Sequence, residues 1–133
     1  MIVDRKKLAT SQKLYRLLIY GYKVSDKAVS VNKSISEELL KLKPSRRTMQ
    51  LEKCFSKVLS TLPDNIVIQD IDVMFNPDYK VDVLRLLIAV NKHKPFSLIW
   101  PGRIENEKLI YSEEIYPDYR VFDVKDYDVL VIV

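Results

Sequence analysis

The stretch NIVIQDIDVMFNP, residues 65–77, decides how the chain is read. An apolar run from Ile66 to Ile68 leads directly into Asp70 and Asp72. A buried strand that ends in carboxylates is one way to hold a magnesium ion beside a nucleotide's phosphates. That arrangement also needs a glycine-rich loop whose backbone amides converge on the phosphates. The whole chain has only 2 glycines, Gly21 and Gly102.

The composition sets the frame for this stretch. With 133 residues, the chain is long enough for one domain and hardly two, so residues 1–133 are read as a single domain. A domain of this size buries roughly 68% of its unfolded surface, which supports a core without staples. Hydrophobic residues at 47% and charged residues at 30% describe an ordinary globular chain. The lone cysteine, Cys54, excludes an internal disulfide framework. MIVDRKKLAT carries charge without a long apolar run after it, so no signal peptide is expected, and no run approaches a membrane span. A cytoplasmic location follows as the expectation. A net charge of +4 permits nucleic-acid contact without arguing for it.

Outward from 65–77, the pattern alternates. LYRLLIY (14–20) is a short apolar run stopped by Gly21 and is predicted as a buried strand. AVSV (28–31) is a weaker strand candidate. Ser34 with Glu37 forms a capping-box pattern, and Ile35, Leu39 and Leu42 share a helical face, which predicts a helix over 34–42 ended by Pro44. PSRRTMQ reads as a basic connector. Leu51, Cys54, Phe55, Val58, Leu59 and Leu62 lie on one stripe, which predicts a helix over 48–62. The strand over 65–69 follows, then NPDY as a turn. VDVLRLLIAVNK predicts a helix over 81–92, apolar nearly all round, and FSLIW a buried strand over 96–100. KLIYS, YRVFDV and DVLVIV read as extended, with a hairpin turn at 106–108. Alternating strands and helices predict an α/β domain with a partly parallel sheet covered on both faces. Chemistry in such sheets sits at the carboxyl ends of the strands. Four places qualify: Gly21 onward, Asn32 with Lys33, Gln69 to Asp72, and Pro101 to Arg103.

DVMFNPDYKVDVLRLL and LIWPGRIENEKLIYSEEIYPDYRVF resemble the BrxF family, the small P-loop proteins of type 3 BREX (bacteriophage exclusion) systems. The matching residues are Phe75, Asn76 and Pro77; Asp82 with Leu84 to Leu87; Trp100 to Arg103; and Pro117, Tyr119 and Arg120. SVNKSISEELLKLKPSRR and LYRLLIYG resemble the family's second strand with its helix and its first strand. The resemblance implies a P-loop-NTPase-like, mostly parallel sheet with helices on both faces. It also implies a Walker A loop and helix after the first strand, and here only GYKVSDKAV stands in that place. Forcing the motif puts Asp26 at its second glycine, Lys27 at its lysine and Ala28 at its hydroxyl position. A carboxylate about 4 Å from a phosphate charge costs about 4 kcal/mol at an effective dielectric of 20, and Ala28 offers magnesium no oxygen. The simpler alignment omits the loop and its helix. Aligned on Phe75, the metal-facing aspartate of the family falls on Gln69, a poor magnesium ligand. Asp70, one residue on, turns to the opposite face.

Three functional expectations follow. The first, carried by the resemblance, is a non-catalytic component of a phage-defence system: a degenerate P-loop domain that binds other defence proteins, without cofactor, metal or catalytic residue. The second is a weak ATP- and magnesium-binding enzyme using Gly21, Lys27, Asp70 and Arg103. The third is a DNA-binding accessory using Lys41, Lys43, Arg46 and Arg47, a cluster whose ordinary role is a solvated helix end. Arg103, with no phosphate to sense, is expected to pair with a carboxylate or a partner. His93 is expected at the surface, and Cys54 in the core. Asp70 and Asp72 are expected to be solvated, or to cap the turn at Asn76. Tyr111, Tyr116 and Tyr119 form an interaction surface or cover the sheet edge. Loss of the first helix would bare the apolar residues of 14–20 over a few hundred Å². Two covers are expected for them: segment 1–13 as a helix touching through Leu8 and Leu14, or a second copy of the chain in a homodimer. The short link predicts that 14–20 and 28–31 are either antiparallel neighbours or not paired.

Overall fold

The computed structural model describes residues 1–5 and 16–133. Strands β1 (Ile2–Val3), β2 (Leu17–Tyr20), β3 (Val29–Ser30), β4 (Ile66–Gln69), β5 (Phe96–Ile99) and β9 (Val129–Ile132) form a six-stranded sheet. Its order is β1-β9-β2-β5-β4-β3, and every pairing is parallel. Between β5 and β9 the chain builds a separate antiparallel sheet from β6 (Arg103–Glu105), β7 (Lys108–Tyr111) and β8 (Arg120–Asp123). The helices are α1 (Asn32–Leu40), α2 (Arg47–Ser60) and α3 (Val83–Asn91). The class is therefore α/β, and its main sheet is wholly rather than partly parallel.

β4 lies inside the sheet, as its apolar run requires, with β3 and β5 as neighbours. β2 and β3 are not paired with each other; β5 and β4 stand between them. Residues 21–28 make this passage as a helix-free strap. Three strand spacings, about 14 Å, separate its ends, and eight extended residues reach about 26 Å. The strap leaves the carboxyl end of β2 and joins β3 level with the end of β4, where Val29 registers with Ile68 and Ser30 with Gln69. No return to the amino end of the sheet is needed, so no helix is needed.

The two sheet faces differ. Register and strand alternation put Leu17, Ile19, Ile68, Phe96, Leu98, Val129 and Val131 on one face, and all are buried. On the other, Leu130 and Ile132 are buried, but Leu18, Tyr20, Val67 and Ile99 are only half-buried. Phe55 of α2 meets Phe96 edge-on at 5.4 Å, on the first face. The crossovers β3–α1–α2–β4 and β4–α3–β5 step the same way along the sheet, so right-handed connections place all three helices on that face. The expectation of helices on both faces is thus corrected to one helical face among the described residues. A helix over 1–13 is corrected in part: Ile2–Val3 is an edge strand on β9, while Leu8 and Leu14 lie outside the described residues.

The expected stripe of α2 packs into the core through Leu51, Cys54, Phe55, Val58 and Leu59, with Leu62 partly buried beyond the helix end. PSRRTMQ is not all connector, because Pro44–Arg46 is a 3₁₀ turn and Arg47 already opens α2. The Ser34 capping box does not form. The chain passes from β3 into α1 through Val31, three residues earlier, and Ser34 lies inside the helix. Asn32 there accepts a hydrogen bond from the Val73 amide at 2.7 Å, tying α1 to the turn after β4. Asp82 caps α3 by accepting from the Arg85 amide at 3.1 Å. The expected hairpin forms between β6 and β7, with Asn106 (φ 51°) and Glu107 (φ 61°) both left-handed, as a two-residue turn demands.

Candidate functional site

Because the main sheet is parallel, the four sequence-predicted places fall at one edge, at the carboxyl ends of β2, β3, β4 and β5. The residues there do not make a phosphate cradle. Gly21 gives its amide to the Ile132 carbonyl at 2.8 Å, and neither glycine has a left-handed φ. In the strap, Asp26 pairs with Lys23 at 3.1 Å, and the Lys27 amide donates to Ser25 Oγ at 3.0 Å. The Lys27 side chain is exposed. Gln69 reaches back to the strap, with Nε2 3.4 Å from the Ala28 carbonyl. Asp70 leaves the strand in a left-handed conformation, φ 56°, with its side chain exposed. These donors do not fit ATP or magnesium: converging amides, a hydroxyl and a buried carboxylate are all missing from their places. Among the described residues, no three His, Cys, Asp or Glu side chains gather as a metal site.

Asp72 is exposed, as expected, and it does not cap Asn76. It accepts a hydrogen bond from the Tyr111 hydroxyl at 2.8 Å. Burial first, and then this carboxylate, push the Tyr111 hydroxyl well above its ordinary range. Asn76 caps its own turn by accepting from the Asp78 amide at 3.0 Å. A second tyrosine is held similarly: Tyr127 donates to Asp82 at 2.7 Å, and burial and that partner push its pKa up to about 12.

The WPGR segment is the joint between the two sheets. The Trp100 indole N–H donates to the Ile110 carbonyl at 3.0 Å, and its ring meets Phe75 and Phe122 edge-on, each at 5.9 Å. Phe75 in turn stacks on Tyr111 at 3.8 Å. At Gly102 a Cβ would stand 1.9 Å from the Ile110 carbonyl oxygen, so only glycine fits. Arg103 pairs with Glu105 and Glu113, each at 3.2 Å, and donates to the Ser112 carbonyl at 3.1 Å. It pairs with carboxylates as read from the sequence, and its guanidinium is committed. The tyrosines of 111–119 divide: Tyr111 is core, Tyr119 half-buried and Tyr116 exposed. His93 is exposed and Cys54 buried, both as expected; burial raises the Cys54 thiol.

The basic cluster of 41–47 also divides. Arg47 turns back to α1, donating to the Leu39 carbonyl at 3.0 Å and the Leu42 carbonyl at 3.3 Å, and so closes the helix end. Lys41 is paired with Glu38 at 3.0 Å. Lys43 and Arg46 are exposed and have no side-chain partner among the described residues. Between α1 and α2 lies a groove of about 270 Å³ lined by Glu38, Lys41, Leu42, Gln50, Lys53, Cys54 and Lys57. Sequence reasoning missed this groove. Its signal was the Lys53–Lys57 step of four on the polar side of the α2 stripe. Lys41 and Lys57 both donate to the Glu38 carboxylate, holding its pKa below the ordinary value.

No protein-family model matches the chain, and no curated protein or solved structure is detectably similar to it. What the geometry defines is a class: an α/β domain with a six-stranded parallel sheet and an antiparallel appendage. No described helix is long and apolar enough to cross a membrane.

Proposed function

We propose that this chain is a non-catalytic interaction module on a P-loop-NTPase-like sheet, serving a bacterial phage-defence system of the BREX type. The observation that carries the reading is the strap. Where a phosphate loop and its helix would stand, residues 21–28 run without helix or left-handed glycine, and the Gly21 amide is spent on the sheet. The defence assignment rests on the resemblance of DVMFNP, WPGR and PDYR to the BrxF family. In this reading the partners are other defence-system proteins, the compartment is the cytoplasm, and no ATP or magnesium is used. The half-buried face of Leu18, Tyr20, Val67 and Ile99 is the surface for a homodimer.

The test is genetic. Genes for a methyltransferase, an alkaline-phosphatase-like protein and a large ATPase are expected nearby, and their absence counts against the assignment. In a host carrying those genes, deletion of this one should abolish phage protection. Wild type and the double variant Lys27→Ala, Asp70→Asn should restore protection equally. Failure of the double variant alone would reveal a working nucleotide site and overturn the reading. Exposed Lys43 and Arg46 favour a second reading, a DNA-binding accessory, which requires duplex affinity that falls steeply with salt.

A further inference from the structure

Residues 32–60, the α1–α2 unit, contain seven Lys or Arg and three Glu, a net +4. That equals the formal charge of the entire chain, so the remaining residues are balanced. The groove between the two helices lies within this unit. Its lysines already hold one carboxylate: Glu38 Oε1 is 3.0 Å from Lys41 Nζ, and Oε2 is 3.0 Å from Lys57 Nζ. Lys53 lines the same groove and is exposed, without an ion-pair partner among the described residues. One large apolar side chain stands nearby in solvent: Met49, 77% exposed, is one helical turn before Lys53.

We infer that the α1–α2 face docks an acidic, apolar-bearing segment of a partner protein, with its carboxylates on Lys53 and Lys57 and an apolar side chain on Met49. This deepens the interaction-module reading by naming its face and its partner's chemistry. Charge complementarity selects an acidic partner, and three observations favour a polypeptide over nucleic acid. Arg47, one of the unit's two arginines, is committed to the carbonyls of α1, leaving Arg46 for bidentate phosphate recognition. Glu37, Glu38 and Glu52 interrupt the positive field, which opposes a continuous polyphosphate more than spaced carboxylates. Met49 gains nothing against a sugar-phosphate backbone but gains burial against an apolar side chain.

The experiment is fluorescence anisotropy at low salt on the intact chain. Three labelled probes are compared: a peptide of interspersed Glu and Leu, the same peptide with Lys for Glu, and a DNA duplex. The Glu-Leu peptide should bind saturably, and the other two more weakly. Lys53→Glu, at an exposed site where the fold has nothing to lose, should weaken the Glu-Leu peptide about tenfold. Met49→Ser should weaken it several-fold, circular dichroism verifying each fold. Absence of peptide binding, indifference to Lys53→Glu, or a duplex bound as tightly would overturn the inference. A parallel arm with ATP and magnesium separates the two failures: nucleotide binding would sink the interaction-module reading, whereas loss of peptide binding alone would sink only this inference.

Discussion

Two regions of this molecule carry charged residues that invite a functional reading, and they treat them differently. At the carboxyl edge of the parallel sheet, Asp72, Arg103 and Gln69 all have partners within the chain. On the α1–α2 face, Lys53, Lys43 and Arg46 stand in solvent, as does the apolar Met49. The residue types suggest the first region as the site. The geometry makes it a joint, where two sheets meet on an aromatic cluster, and leaves the second region free to meet a partner. Substitution at the joint should therefore change stability, and substitution on the basic face should not.

The largest effect is expected at Gly102. A Cβ there meets the Ile110 carbonyl oxygen at 1.9 Å and its carbon at 3.0 Å, and backbone cannot swing aside as a side chain does. Gly102→Ala should cost about 4 kcal/mol or more in urea denaturation. A cost under about 1 kcal/mol would show that the two sheets are not rigidly joined there. Next is Phe75, fully packed between Tyr111, Trp100 and Phe122. Phe75→Ala should cost about 3–5 kcal/mol, the range for emptying a buried aromatic site.

Tyr111→Phe leaves the ring stack and removes only the bond to Asp72, so about 1–2 kcal/mol is expected by the same denaturation assay. Tyr127 gives the comparison a pH dependence. Its folded pKa of about 12 lies above the ordinary tyrosine value of about 10, so the neutral, folded form is favoured. That contribution is fully present below about pH 10 and is lost as the pH rises through about 12. Tyr127→Phe should flatten the alkaline limb of a stability–pH curve; an unchanged limb would remove Tyr127 from the account. The smallest effect belongs to the other region. Lys43→Glu with Arg46→Glu should move stability by less than about 0.5 kcal/mol, as exposed substitutions do.

How much of this was legible depended on the range of the interactions. The α2 stripe, the apolar runs of β4 and β5 and the 106–108 turn are local patterns, and each fixed its own element. The Ser34–Glu37 pattern is equally local, but the chain entered α1 earlier because β3 ends at Ser30 and Asn32 is held by the turn after β4. The place of β9 between β1 and β2 could not be read, since DVLVIV says strand but not which neighbour. At the candidate site, the pairing of Arg103 with a carboxylate was legible because no phosphate loop stands in the sequence for it to sense. Asp72 was not, because its partner Tyr111 lies 39 residues away with no periodic signal linking them. The groove required α1 and α2 to be placed side by side before its lysines could be seen to share a carboxylate.

The carboxyl edge is proposed as a structural joint rather than a nucleotide site. Isothermal titration of the intact chain with ATP and magnesium tests it most directly. The account predicts no saturable heat up to millimolar nucleotide, and none gained or lost in the double variant Lys27→Ala, Asp70→Asn. A saturable isotherm in the wild type that disappears in that variant would contradict it.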